Sequence, residues 1–121
     1  MWDFRNDTPI YLQIIEQMKQ GIVSGAYLPG TKLASVRDLA AEASVNPNTM
    51  QKALSELERE GLVYTNRTMG RFITEDSAVV EKLRQDFVTE HIQLFLKKMK
   101  AAGYTRTEVR AFLEKITEEE E

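Results

Sequence analysis

The stretch Ala43-Ser44-Val45-Asn46-Pro47-Asn48-Thr49-Met50-Gln51-Lys52-Ala53-Leu54 constrains the fold more than any other part of the chain. It reads as the end of one helix, a tight turn and the start of a second. Asn46 suits an N-cap, and Pro47 suits the first helical position, where no amide donor is needed. The first turn and a half then carries Asn48, Thr49, Gln51 and Lys52, with hydrogen-bonding ends. A helix buried on all sides would not start this way, and a merely solvated one would more often carry Glu and Lys. Short polar groups at that place are what a helix meeting base edges needs, so the stretch reads as a helix-turn-helix directed at DNA.

The flanking sequence supplies the rest of such a domain. Trp2 to Thr8 reads as an extended arm packed on the domain. Pro9 opens a helix with Tyr11, Ile14, Ile15, Met18 and Ile22 on one face, ended at Ser24-Gly25. Leu28-Pro29-Gly30 is a turn, and Lys32-Leu33 a very short strand. Ser35-Val36-Arg37-Asp38 resembles a capping box for a helix to about Ala43, with Val36, Leu39 and Ala40 inward. The third helix runs from about Pro47 to Glu60, buries Met50, Ala53, Leu54 and Leu57, and stops at Gly61. Leu62-Val63-Tyr64-Thr65 and Arg71-Phe72-Ile73-Thr74 alternate as two strands, joined by Asn66 to Gly70. The expected fold is mainly α with a small β-hairpin: a winged helix-turn-helix over residues 1–75, then a two-helix C-terminal dimerisation segment over 76–121.

That segment has Val80, Leu83, Phe87, Leu94 and Phe95 at helical spacing from about Ser77 to Ala102. Gly103 breaks the helix, Thr105-Arg106-Thr107-Glu108 caps another, and Val109, Phe112, Leu113 and Ile116 share one side of it. Glu118 to Glu121 reads as a frayed acidic end. Two helices alone bury little, so apolar stripes of this length point to a subunit interface; an effector pocket is the competing reading.

Net charge is −3, from 16 Lys+Arg against 19 Asp+Glu. The first 75 residues hold 8 basic and 9 acidic side chains, the remainder 8 and 10. Neither part is basic, so local charge has to decide. Arg37, Lys52, Arg67 and Arg71 fall where a DNA face would be, and most acids of the first part lie elsewhere, with Asp38 and Glu42 the exceptions. Lys52 suits a phosphate and Arg67 and Arg71 a phosphate or the minor groove, while Asn and Gln suit adenine and the Thr methyl suits thymine. Asn46 is read first as a cap.

Enzyme classes are poorly served. There is no cysteine and a single histidine, His91, so a thiol nucleophile is absent and any histidine-based triad depends on that one residue. Glycine-rich phosphate loops are absent as well, and no metal or cofactor is expected. A site at His91 with Asp86 and Glu90 competes poorly with a packed or solvated histidine. No run of ~18 apolar residues suggests a membrane span, and the first residues have no secretory pattern, so a cytoplasmic protein is expected.

Five blocks in order carry a resemblance: Pro9-Ile10-Tyr11-Leu12-Gln13-Ile14, Gly25-Ala26-Tyr27-Leu28-Pro29-Gly30, Ser35-Val36-Arg37-Asp38-Leu39-Ala40, Val45-Asn46-Pro47-Asn48-Thr49, and Leu57-Glu58-Arg59-Glu60-Gly61-Leu62-Val63. Together they resemble the GntR family of bacterial transcription regulators, and the short tail resembles its YtrA-type branch, in which a pair of helices replaces the large effector domain. The resemblance implies a homodimer on a palindromic operator, and further suggests autoregulation and control of adjacent transporter genes. It places a backbone- or guanine-contacting arginine at Arg37, beside Ser35. Reading positions fall on Pro47, Asn48, Thr49 and Gln51, and wing positions on Arg67, Thr68 and Gly70. Two departures stand out. Many members carry arginine where Pro47 and Gln51 stand, and Thr68 replaces the first glycine of a Gly-x-Gly tip.

A dimeric repressor on double-stranded DNA, its effector unknown, is therefore the leading expectation. A winged helix that docks on protein is the rival, but its third helix would present apolar or aromatic groups. An RNA-binding winged helix would want stacking aromatics, for which Tyr27 and Tyr64 are the candidates.

Overall fold

A computed structural model describes residues 2–120 of the chain. The chain divides between Arg84 and Gln85 into two compact units. The first holds α1 (Ile10–Ser24), α2 (Val36–Ala43), α3 (Pro47–Arg59), β1 (Val63–Asn66) and β2 (Gly70–Ile73). Helix α4 (Ser77–Ala101) begins in the first unit and ends in the second, which also holds α5 (Arg106–Glu120).

Helical periodicity builds the first core. Ile14, Met18 and Ile22 of α1 meet Leu39 and Ala40 of α2 and Met50, Ala53, Leu54 and Leu57 of α3, all buried. Ala40 and Ala53 leave room for close helix approach. Val63 and Ile73 face each other across the antiparallel hairpin and close the core from the strand side. The pairing Asn66↔Gly70 leaves a three-residue tip, Arg67-Thr68-Met69, so the strands lie about one residue nearer the tip than alternation alone suggests. Lys32 bridges to Phe72 as the expected short strand.

Capping decides where the helices start. Ser35 Oγ accepts a hydrogen bond from Asp38 N at 3.1 Å, and Asn46 Oδ1 accepts one from Asn48 N at 2.7 Å with Pro47 in the first turn. At α5 the box is reciprocal: Glu108 N donates to Thr105 Oγ1, and Thr105 N donates to Glu108 Oε1 at 3.0 Å. The bonds that Glu108 Oε1 accepts from Thr105 N and, at 3.1 Å, from Thr105 Oγ1 hold the Glu108 carboxyl below its ordinary range. The helix continues through Glu120, so Glu118 to Glu120, expected to fray, are helical, and Glu121 lies outside the described residues.

Buried Gln13 anchors the N-terminal arm. Its amide accepts from Arg5 N at 2.7 Å and donates to the carbonyls of Arg5 and Thr8, while Trp2 and Phe4 stack and pack on the core. Val80 and Leu83, expected at a subunit interface, are half-buried within the single chain. Both pack on the core of their own unit, because the first turns of α4 return to it after the hairpin.

Candidate nucleic-acid interface

Three pieces of the first unit carry the side chains expected to meet DNA. The Ser35 cap starts α2 so that Arg37 stands exposed in its first turn. The Asn46 cap and Pro47 do the same for α3, leaving Asn46, Pro47, Asn48, Gln51 and Lys52 exposed and Thr49 half-buried. The Asn46 side-chain oxygen accepts the capping bond from Asn48 N, and its amide N–H groups are left to meet a ligand. Gln51 Nε2 donates to Ser55 Oγ at 3.0 Å, one turn along the same helix. That bond uses one of the two Nε2 protons; bidentate reading of adenine needs the other together with Oε1.

Lys52 is steered from another element. Its Nζ lies 3.8 Å from the centroid of the Tyr11 ring, on the first turn of α1. A cation over an aromatic face is stabilised by the ring quadrupole, and the contact narrows the range of a flexible side chain.

The hairpin tip is built by a residue the sequence reading passed over as loop. Asn66 Oδ1 accepts from Thr68 N and Thr68 Oγ1, both at 3.0 Å, and from Met69 N at 3.2 Å. This Asx arrangement turns the chain without glycine at position 68, and Gly70 supplies the single positive φ, 111°. The Thr68 hydroxyl is consequently spent inside the tip, while Arg67 is exposed. An asparagine at a hairpin end was the available signal.

Arg71 departs from expectation. Strand alternation places it on the face of Ile73, and its side chain turns toward α3, with Nε 3.6 Å from Glu58 Oε1. Lys32, not singled out from sequence, joins Ser35, Arg67, Gly70 and Arg71 around a concavity of about 640 Å³ between the start of α2 and the hairpin.

Acids on the far half of α3 are paired. Glu60 meets Lys19 at 2.9 Å, and Glu56 meets Arg59, whose hydrogen bond lowers the Glu56 carboxyl. The first turn of α3 carries no acid. This separation keeps the start of α3 free of opposing charge in an acidic chain, while the first turn of α2 carries Asp38 beside Arg37.

The second unit keeps its apolar groups largely uncovered. Leu94 is 60% exposed and Phe112 56%; Phe95, Leu113 and Ile116 are also exposed, and Val109 is buried. Phe95, Met99, Tyr104, Val109, Phe112, Leu113 and Ile116 line an apolar concavity of about 320 Å³. Phe87 stacks on His91, whose Nδ1 lies 2.7 Å from the Phe87 carbonyl. Among the described residues no group of three His, Cys, Asp or Glu side chains could hold a metal, and no helix is long and apolar enough to cross a membrane.

A capped polar third helix set on two supporting helices, with a hairpin beside it, defines a winged helix-turn-helix DNA-binding protein. The family model for bacterial regulatory proteins of the gntR family matches residues 10–73, and the chain belongs to that family. It is 42% identical over 115 residues to the uncharacterized HTH-type transcriptional regulator YhcF of Bacillus subtilis, covering 95% of each chain. With the HTH-type transcriptional repressor YtrA of the same organism it shares 43% identity over 99 residues, 74% of this chain and 76% of YtrA. A GntR family transcriptional regulator from Listeria monocytogenes superposes with a TM-score of 0.86 at 38% identity, covering 93% of this chain and 98% of that one. The protein is thus a DNA-binding transcription regulator and not an enzyme.

Proposed function

We propose that the protein is a cytoplasmic repressor that works as a homodimer on an inverted-repeat operator, its own promoter region being the first candidate. The apolar concavity of the second unit carries the reading: large side chains open to water at this density call for a partner, and a second copy supplies the same surface. One chain offers one recognition helix. A two-fold pair offers two, and would place half-site centres about one helical turn, ~34 Å, or a small multiple apart. Arg37, Lys32 and Arg67 supply phosphate or minor-groove contacts, and Asn48, Thr49 and Gln51 read bases. With no arginine at positions 47 and 51, the helix-contacted base pairs are A·T-rich.

Selection from random duplexes, with sedimentation of the free protein, tests this. Inverted repeats with A·T-rich half-sites and a dimer at micromolar concentration are expected. Direct repeats, or a monomer that binds as tightly, would overturn the two-fold reading.

A further inference from the structure

Glu58, Thr65 and Arg71 come from three different elements and meet at one place. Thr65 Oγ1 donates to Glu58 Oε1 at 2.6 Å, and the same oxygen lies 3.6 Å from Arg71 Nε. Thr65 and Arg71 are cross-strand partners, one step out from the buried pair Val63↔Ile73. The period of two therefore carries the core face of the hairpin outward onto these two residues, and α3 meets it there with a carboxylate. Arg71 Nε is shielded from solvent and lacks a hydrogen-bond partner within normal reach. On the opposite face, Tyr64 and Phe72 stack on each other at 5.5 Å. Beyond Val63 and Ile73, the hairpin is thus held toward the recognition helix by polar groups.

We infer that Glu58 is a positioning residue that ties the wing to the recognition helix, and that Arg71 serves this tie instead of contacting phosphate. The tie sets how far the tip at Arg67 stands from the reading positions 48–51, and so which base pairs the two can engage together. It also keeps one guanidinium off the nucleic acid, which restrains sequence-independent binding. The inference rests on the proposed DNA-binding reading and deepens it.

Salt dependence distinguishes a tie from a phosphate contact. A lost phosphate contact lowers the slope of log K against log salt by about 0.9, whereas a lost tie leaves the slope unchanged. For Arg71→Ala we expect an unchanged slope, operator binding weakened roughly three- to tenfold, and relaxed preference confined to the base pairs at the wing. Glu58→Gln frees Arg71, so random-duplex binding should tighten and its slope steepen by up to about 0.9. The effects of Glu58→Gln and Arg71→Ala on operator affinity should not multiply, since each breaks the same contact. Thr65→Val alters no charge and should reproduce the operator loss at constant slope; circular dichroism checks that each variant is folded. A slope reduced by about 0.9 in Arg71→Ala, or effects that multiply in the double variant, would overturn the tie. A wild-type protein that selects no duplex would instead remove the DNA reading itself.

Discussion

Asn46 lets the fold and the interface be tested separately. Its Oδ1 accepts from Asn48 N at 2.7 Å and satisfies one of the donors left open at the start of α3. Pro47 has no donor to lose, so removing this cap strips the first turn of its side-chain partner. Asn46→Ala should cost about 1 kcal/mol, within a usual range of about 0.5–2. For a domain of this size that is a fall in melting temperature of about 4–8 °C, measured at one fixed protein concentration. Asn46→Asp keeps an equally good cap, and its charge suits the positive end of the helix, so the melting temperature should return to wild type. The same carboxylate would face the DNA backbone. At about 7 Å from one phosphate in water it costs about 0.6 kcal/mol, and two half-sites double that to about sevenfold in affinity. Thermal unfolding and operator titration on the three proteins therefore give two different orders. An unchanged melting temperature in Asn46→Ala would refute the cap, and wild-type operator affinity in Asn46→Asp would refute the placement of Asn46 at the DNA.

Other outcomes follow from the same geometry. Arg37→Ala and Lys52→Ala should each lower the salt slope by about 0.9 per contact on operator and random duplex alike; Tyr11→Leu should weaken operator binding without changing the slope, because the lysine charge remains. Relaxed preference at a single base pair in Arg37→Ala would make that arginine a base reader. Leu94→Glu or Phe112→Glu should yield monomers in sedimentation, since a buried unpaired carboxylate in the dimer costs several kcal/mol; an unchanged dimer would move the interface elsewhere. Glu108 is held below its ordinary range in the folded state, so its cap contributes fully above the unfolded carboxyl range and fades as pH falls through the folded value. Amide protection in the first turn of α5 should drop on acidification, and Glu108→Gln should flatten that dependence.

Local chemistry made most of the architecture legible before any coordinates. Caps at Ser35, Asn46 and Thr105 bond to amides two or three residues away, so short sequence windows contain both partners. The buried stripe Met50, Ala53, Leu54 and Leu57 repeats at the helical period, and one helix-turn-helix stretch with a hairpin behind it restricts the fold to very few alternatives. Polar candidates on the first turn of α3 were readable for the same reason: a cap fixes where a helix begins, and the beginning fixes what faces outward.

Contacts between elements were not legible. Lys52 over Tyr11 joins residues from different helices, and no window contains both. Arg71 reads as one more cation beside a loop until the hairpin register sets it opposite Thr65 and the fold brings Glu58 to meet it. Val80 and Leu83 share a helical stripe with Leu94 and Phe95, yet the first pair packs on the core of its own unit while the second pair is exposed. Periodicity states that a face is apolar; which surface covers it depends on where the preceding hairpin delivers the chain. Sequence alone determined the elements, their caps and their inward faces, since these rest on interactions a few residues long. The tertiary structure decided which cations remain free for a nucleic acid and which are spent holding the protein together, because that depends on charges distant in sequence arriving within a few ångströms of each other.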